Sequence, residues 1–208
     1  MDLWTARQGG CLEGSWQTRA AFAAQPLIAR CTGVHVCIAV LETEKVGAFG
    51  WPNGHIFVTR GLVDRLNNAE LAAAIAHELG HLLDSGRLRM IGKDSESSKT
   101  VDSSDSDRHD PDREVRADAA GLQLLRADNI PPQSMLSMLR KVETCGALTP
   151  SGRLAVDRRL QLLSTSLGAS ALTDVVDGRP RVAAHEGECM THGNREIFNT
   201  GSKPPFAP

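Results

Sequence analysis

Tyrosine is absent from this chain of 208 residues. No phenol hydroxyl is available, as donor or proton carrier, to any chemistry the chain performs. A charge surplus is missing too. Lysine and arginine total 23 against 25 aspartates and glutamates, a net charge of −2. That balance offers nothing to a nucleic acid or an anionic membrane surface. No apolar run reaches the length of a membrane span; the longest, VHVCIAVL and LAAAIA, suit a strand and a helix. No Cys-x-x-Cys pair occurs, and the cysteines at 11, 31, 37, 145 and 189 are odd in number. This argues against a structural zinc knot and for reduced, mostly part-buried thiols. The opening MDLWTARQGGC lacks the charged-then-apolar layout of a secretory signal. On the sequence as given, the expected compartment is the cytoplasm; a processed form would be periplasmic or secreted.

What is present suits one globular domain, with hydrophobic residues at 41% and charged residues at 23%. We divide the chain into a domain over 1–167, its core at 34–165, and a Gly/Pro-rich tail over 168–208. Residues 1–14 read as a loose start. Residues 16–31 predict a helix interrupted at Pro26, with Phe22, Leu27 and Ile28 facing inward. The β-branched stretch 33–42 predicts a strand. A hairpin follows, with strands over 46–54 and 55–61 and a turn at Pro52-Asn53-Gly54. Asn67 and Glu70 form a capping box, opening a helix that runs to about Ser85, with Gly86 suited to the position after it. Residues 93–112 are Ser- and Asp-rich and read as a solvated loop, which could also serve as a lid. Asp110-Pro111 opens the next helix. Pro131-Pro132 introduce another, and 152–164 predict a last amphipathic helix. There are no internal repeats.

The capped helix carries His77, Glu78 and His81 in the pattern His-Glu-x-x-His. Positions four apart share a helix face, so both histidines can bind one ion. Glu78 sits beside the first of them, where its carboxylate can reach a reacting water. A catalytic zinc wants a third protein ligand and an open position. A histidine after a Gly turn is excluded, because Asp84 and Arg87 stand where that pattern needs glycine and histidine. A carboxylate from a second helix remains. REVRADAAG supplies Glu114, with Asp118 one turn later on the same face. Glu114 can bind the metal, and Asp118 can accept the free ring N–H of a liganding histidine.

At this point the chain resembles the HtpX / type-1 CAAX-protease family of gluzincin zinc metallopeptidases. The likeness is carried by VGAFGWPNGHIFVTRGLVDRL, NNAELAAAIAHELGH, REVRADAAGLQLL and NIPPQSMLSMLRKVE, spanning roughly 34–165. It implies an α+β zincin-like fold, mainly helical, with a small antiparallel sheet or hairpin beside the metal helix. It implies one Zn2+ held by His77, His81 and Glu114, Glu78 as general base and Asp118 behind the ligands. The chain departs from the family at Gly47, Asn53 and Arg153-Leu154, where relatives carry Asn, Gly and a His-Pro pair. It also lacks the family's membrane segments, so the soluble, stand-alone branch is the better comparison.

The implied activity is zinc-dependent endopeptidase cleavage of extended or unfolded polypeptide. By family analogy, substrate pairs with the strand at 55–59. A tetrahedral oxyanion needs a donor besides the metal. With tyrosine absent, the candidates are His55, Arg153 and Arg158. In the tail, Cys189 lies between two histidines and is a candidate latch over the metal. Two other readings stand beside the peptidase: a latent or non-catalytic zinc-binding protein of the same fold, and a metal hydrolase of non-protein substrates.

Overall fold

The computed structural model describes residues 2–7, 9–92, 111–145 and 150–176. The Ser- and Asp-rich stretch 93–110, and Cys189 with the tail beyond Val176, lie outside them. In chain order the elements are α1 (Asp2–Arg7), β1 (Cys11–Leu12), α2 (Ser15–Ala29), β2 (Cys31–Gly33), β3 (Cys37–Leu41), β4 (Ala48–Gly50) and β5 (His55–Thr59). There follow α3 (Arg60–Arg65), α4 (Asn68–Asp84), β6 (Leu88–Met90), α5 (Pro111–Ala127), α6 (Gln133–Cys145) and α7 (Pro150–Val176). The fold is α+β, mostly helical with a small sheet. No described helix is long and apolar enough to cross a membrane.

The start of the chain is more ordered than its composition suggested. Gly9 and Gly10 both take positive φ, which lets the chain turn into β1. β1 then pairs antiparallel with β3, Cys11 opposite Leu41. At Gly9 a Cβ would stand 2.2 Å from the Glu42 carbonyl oxygen, so only glycine fits.

The main sheet has the order β1-β3-β5-β4. β4 and β5 form the expected hairpin, Ala48 opposite Val58 and Gly50 opposite Ile56. The sheet is not wholly antiparallel, however. The chain leaves β3, passes beyond the next position to lay down β4, and returns between them as β5. β3 and β5 therefore run parallel, Cys37 opposite His55 and Leu41 opposite Thr59. A consequence for function is that β5 is paired on both sides, while β4 is an edge.

One face of this sheet, through Val40, Ile56 and Val58, joins the core formed with α2 and α4. On α2 the buried positions are Ala20, Ala23, Ala24 and Leu27, a helical stripe. Phe22 falls off that stripe and is 70% exposed, contrary to expectation. Pro26 sits inside α2 without ending it.

The α4–α5 contact positions the site. Gly80 lies so close to α5 that a Cβ would be 2.2 Å from the Ala117 carbonyl oxygen. One turn away, a Cβ on Gly121 would be 3.0 Å from the Ala76 oxygen. Small residues on both helices thus bring the backbones together. The start of α4 is fixed separately. The Asn67 side chain accepts from the Glu70 N–H, and Glu70 accepts from the Asn67 N–H. Buried Glu70 also accepts from Ser137 and, at 2.6 Å, from Lys141 of α6. Burial opposes its charge, but these donors outweigh it and hold the carboxyl below its usual range. The last helix extends past the predicted 152–164 at both ends.

Of the described cysteines, all free, Cys11 and Cys145 are exposed and only Cys31 and Cys37 part-buried. Burial pushes the Cys31 thiol up to about 11.

Candidate metal centre

His77 and His81 project from one face of α4, their rings 4.7 Å apart. Across the close helix contact, Glu114 of α5 meets both. His77 Nε2 is 3.2 Å from Glu114 Oε2, and His81 Nε2 is 3.3 Å from Oε1. A ligand atom of each lies within 4.8 Å of the others, and no second such cluster occurs among the described residues.

The spacing suits a metal. Tetrahedral zinc, with bonds of about 2.0–2.2 Å, sets neighbouring ligand atoms roughly 3.3 Å apart. The donor set of two imidazoles and one carboxylate is the kind that leaves a fourth position open. The outer nitrogen of His77 faces Asp118 Oδ1 at 2.8 Å. With Nδ1–H donating there, Nε2 is the ring atom that faces Glu114 and would bind a metal. The outer nitrogen of His81 is buried without a partner among the described residues, so that ring is oriented by packing and by its contact with Glu114.

Asp118 does not act alone. Arg159 of α7 reaches it through Nε and Nη2, each at 2.7 Å, and reaches Glu114 Oε2 through Nη1 at 3.1 Å. Sequence reasoning missed Arg159, choosing Arg158 beside it. The signal was the phase of α7: Arg159 shares the inward face with buried Val156 and Leu163. Arg158 instead points outward and pairs with Asp112, and Arg153 is exposed.

Burial opposes every charge in this network, and the mutual pairing overrides it. Hydrogen bonds to Asp118 and Glu114 push His77 up to about 9. The histidines and Arg159 hold Glu114 well below the usual carboxylate range. Arg159 and His77 do the same for Asp118, which in turn raises Arg159.

Glu78 is buried beside the cluster. It faces β4, where a Cβ on Gly50 would be 2.9 Å from Glu78 Oε2. Together they line a cleft of about 790 Å³. β4 forms one wall, α4 the floor, and α5, α6 and α7 the other wall. The Thr59 N–H donates to the Gly47 carbonyl and the Trp51 N–H to that of His55. By the alternation of an antiparallel pair, the backbone groups of Ala48 and Gly50 point away from β5, along the free edge. The strand at 55–59, expected to receive substrate, is interior; β4 is the edge in its place. None of His55, Arg153 and Arg158 lines the cleft. His55 stacks on Phe57 along β5 instead.

A histidine pair, a carboxylate ligand and an adjacent glutamate in an open cleft agree with one comparison. Residues 17–99 match the family model of peptidase family M48. The match covers β3, β4, β5 and the helix bearing His77 and His81, and it supports a metallopeptidase at the level of this family. It does not single out a branch within M48. No curated protein matches the chain.

Proposed function

We propose that the protein is a zinc endopeptidase acting on extended or unfolded polypeptide. The observation that carries this reading is the convergence of His77, His81 and Glu114 beside Glu78, in a cleft walled by a free strand edge. The likeness to the HtpX / type-1 CAAX group supports the finer placement within M48.

In this reading His77, His81 and Glu114 hold one Zn2+. The ion supplies Lewis acidity, favouring attack by water near neutral pH and polarising a carbonyl. The chain does the rest. Asp118 fixes the tautomer of His77, and Arg159 fixes Asp118 and Glu114. Glu78 takes the proton of the attacking water on its carboxylate and passes it to the leaving amine. No described hydrogen-bond donor engages that carboxylate, so it is available as a base. The outward N–H and C=O groups of Ala48 and Gly50 hold the substrate main chain as an added strand.

Binding through main-chain pairing requires an extended substrate. Zinc-loaded protein is therefore expected to fragment unfolded casein while leaving a compact, disulfide-bonded protein intact, read by mass spectrometry. Equal cleavage of both, or of neither, would count against the reading.

A further inference from the structure

The two ends of the cleft differ in chemistry. At the start of α4, Glu70 is held by Ser137 and Lys141, which seats α6 over the first half of that helix. Met138, Leu139 and Val142 thereby face Ala74 and Leu62 across an apolar end. α5 runs antiparallel to α4, as the pairs His81–Glu114 and His77–Asp118 require. Its first turn lies by the last turns of α4, and there Arg113 lines the cleft, half-buried.

Arg113 differs from the arginines around it. Asp84 neutralises Arg116, Asp112 neutralises Arg158, and Asp118 with Glu114 neutralises Arg159. Arg113 has no carboxylate partner among the described residues, although it stands next to Glu114 in sequence. Glu114 turns inward to the histidines, while Arg113 lines the cleft beside it.

β4 fixes a direction. Gly47 is tied to Thr59, which caps α3 through Leu62, so this end of β4 lies at the apolar end of the cleft. Gly50 lies against Glu78, and Trp51 and Pro52 continue toward the other end. A strand added antiparallel to β4 enters at Pro52 and leaves at Gly47. Residues before the scissile bond then occupy the Arg113 end.

We propose that Arg113 determines specificity by pairing with an acidic side chain on the N-terminal side of the scissile bond. This rests on the peptidase reading above, with substrate laid along β4. A guanidinium presents paired N–H donors that match a carboxylate, and a half-buried cleft screens the pair less than open solvent does.

The test is binding of labelled extended peptides to zinc-loaded Glu78→Gln protein, where turnover is suppressed. The peptides carry Glu, Gln or Lys at one of three positions preceding a leucine. At low salt the Glu peptide is expected to bind about tenfold tighter than the Gln peptide at one of those positions. Adding Arg113→Gln should abolish that preference, Arg113→Lys should retain part of it, and Arg113→Glu should shift it to the Lys peptide. Equal binding of Glu and Gln peptides at all positions, or a preference that survives Arg113→Gln, overturns the proposal. The same peptides given to the wild-type enzyme separate this inference from its foundation. Cleavage without charge preference removes the role of Arg113 alone. Arg113-dependent binding with no cleavage removes the hydrolytic reading and leaves the acidic site standing.

Discussion

Arg159 grips both carboxylate oxygens of Asp118, with Nε and Nη2 each 2.7 Å from an acceptor. Asp118 is thereby fixed while it accepts from His77, so the orientation of His77, the proposed metal ligand, depends on a residue 82 positions beyond it in sequence. Lysine cannot reproduce a two-pronged contact. Arg159→Lys is expected to lower zinc affinity by about 10- to 100-fold, measured by competition with a chromogenic chelator. Unchanged affinity would show that packing alone holds Asp118.

Gly50 tests the alignment of Glu78. The Cβ of Gly50→Ala would meet the end of a flexible side chain rather than backbone, so Glu78 should swing aside and the fold should survive. The expected result is a fall in kcat on the order of 10- to 100-fold, with zinc stoichiometry and melting temperature close to wild type.

Gly80 tests the helix contact itself. Here an added methyl meets the Ala117 carbonyl, which cannot rotate away. Gly80→Ala is expected to force α4 and α5 apart, costing about 3 kcal/mol or more despite the better helix propensity of alanine. Denaturant unfolding measures the loss. The same displacement should weaken zinc binding, because it separates Glu114 from the histidines.

Glu70 gives a pH dependence of defined sign. Its carboxyl is lowered in the folded state, so its contribution is complete above the unfolded value of about 4.3 and is lost as pH falls through the folded value. Glu70→Gln should destabilise the protein by about 1–3 kcal/mol at neutral pH. The gap in melting temperature between the two proteins should narrow as the pH drops below about 4. A constant gap would mean that the charge contributes nothing.

Local signals were readable from sequence wherever one short stretch determined the outcome. The capping box of Asn67 and Glu70, Gly86 at positive φ after α4, Pro111 opening α5 and the β4–β5 hairpin all follow from neighbouring residues. The parallel pairing of β3 with β5 does not, because it depends on where the chain lays down β4. That one connection moved the free edge from 55–59 to β4. His77, Glu78, His81, Glu114 and Asp118 could be nominated from spacing on two helices, and the structure brings all five together. Arg159 escaped because a polar residue on an inward helix phase is indistinguishable, in composition, from its outward neighbour Arg158. Phe22 misled for the opposite reason: hydrophobicity suggested burial, and helical phase decided exposure.

The central claim is that Glu78 serves as the base beside zinc held by its neighbours. The most direct measurement compares wild type with Glu78→Gln on unfolded casein after one zinc per chain is confirmed in both proteins. Cleavage by wild type and a loss of roughly 100-fold or more in the variant, with zinc retained, is the expected result. Equal cleavage by the two, or none by fully loaded wild type, would contradict it.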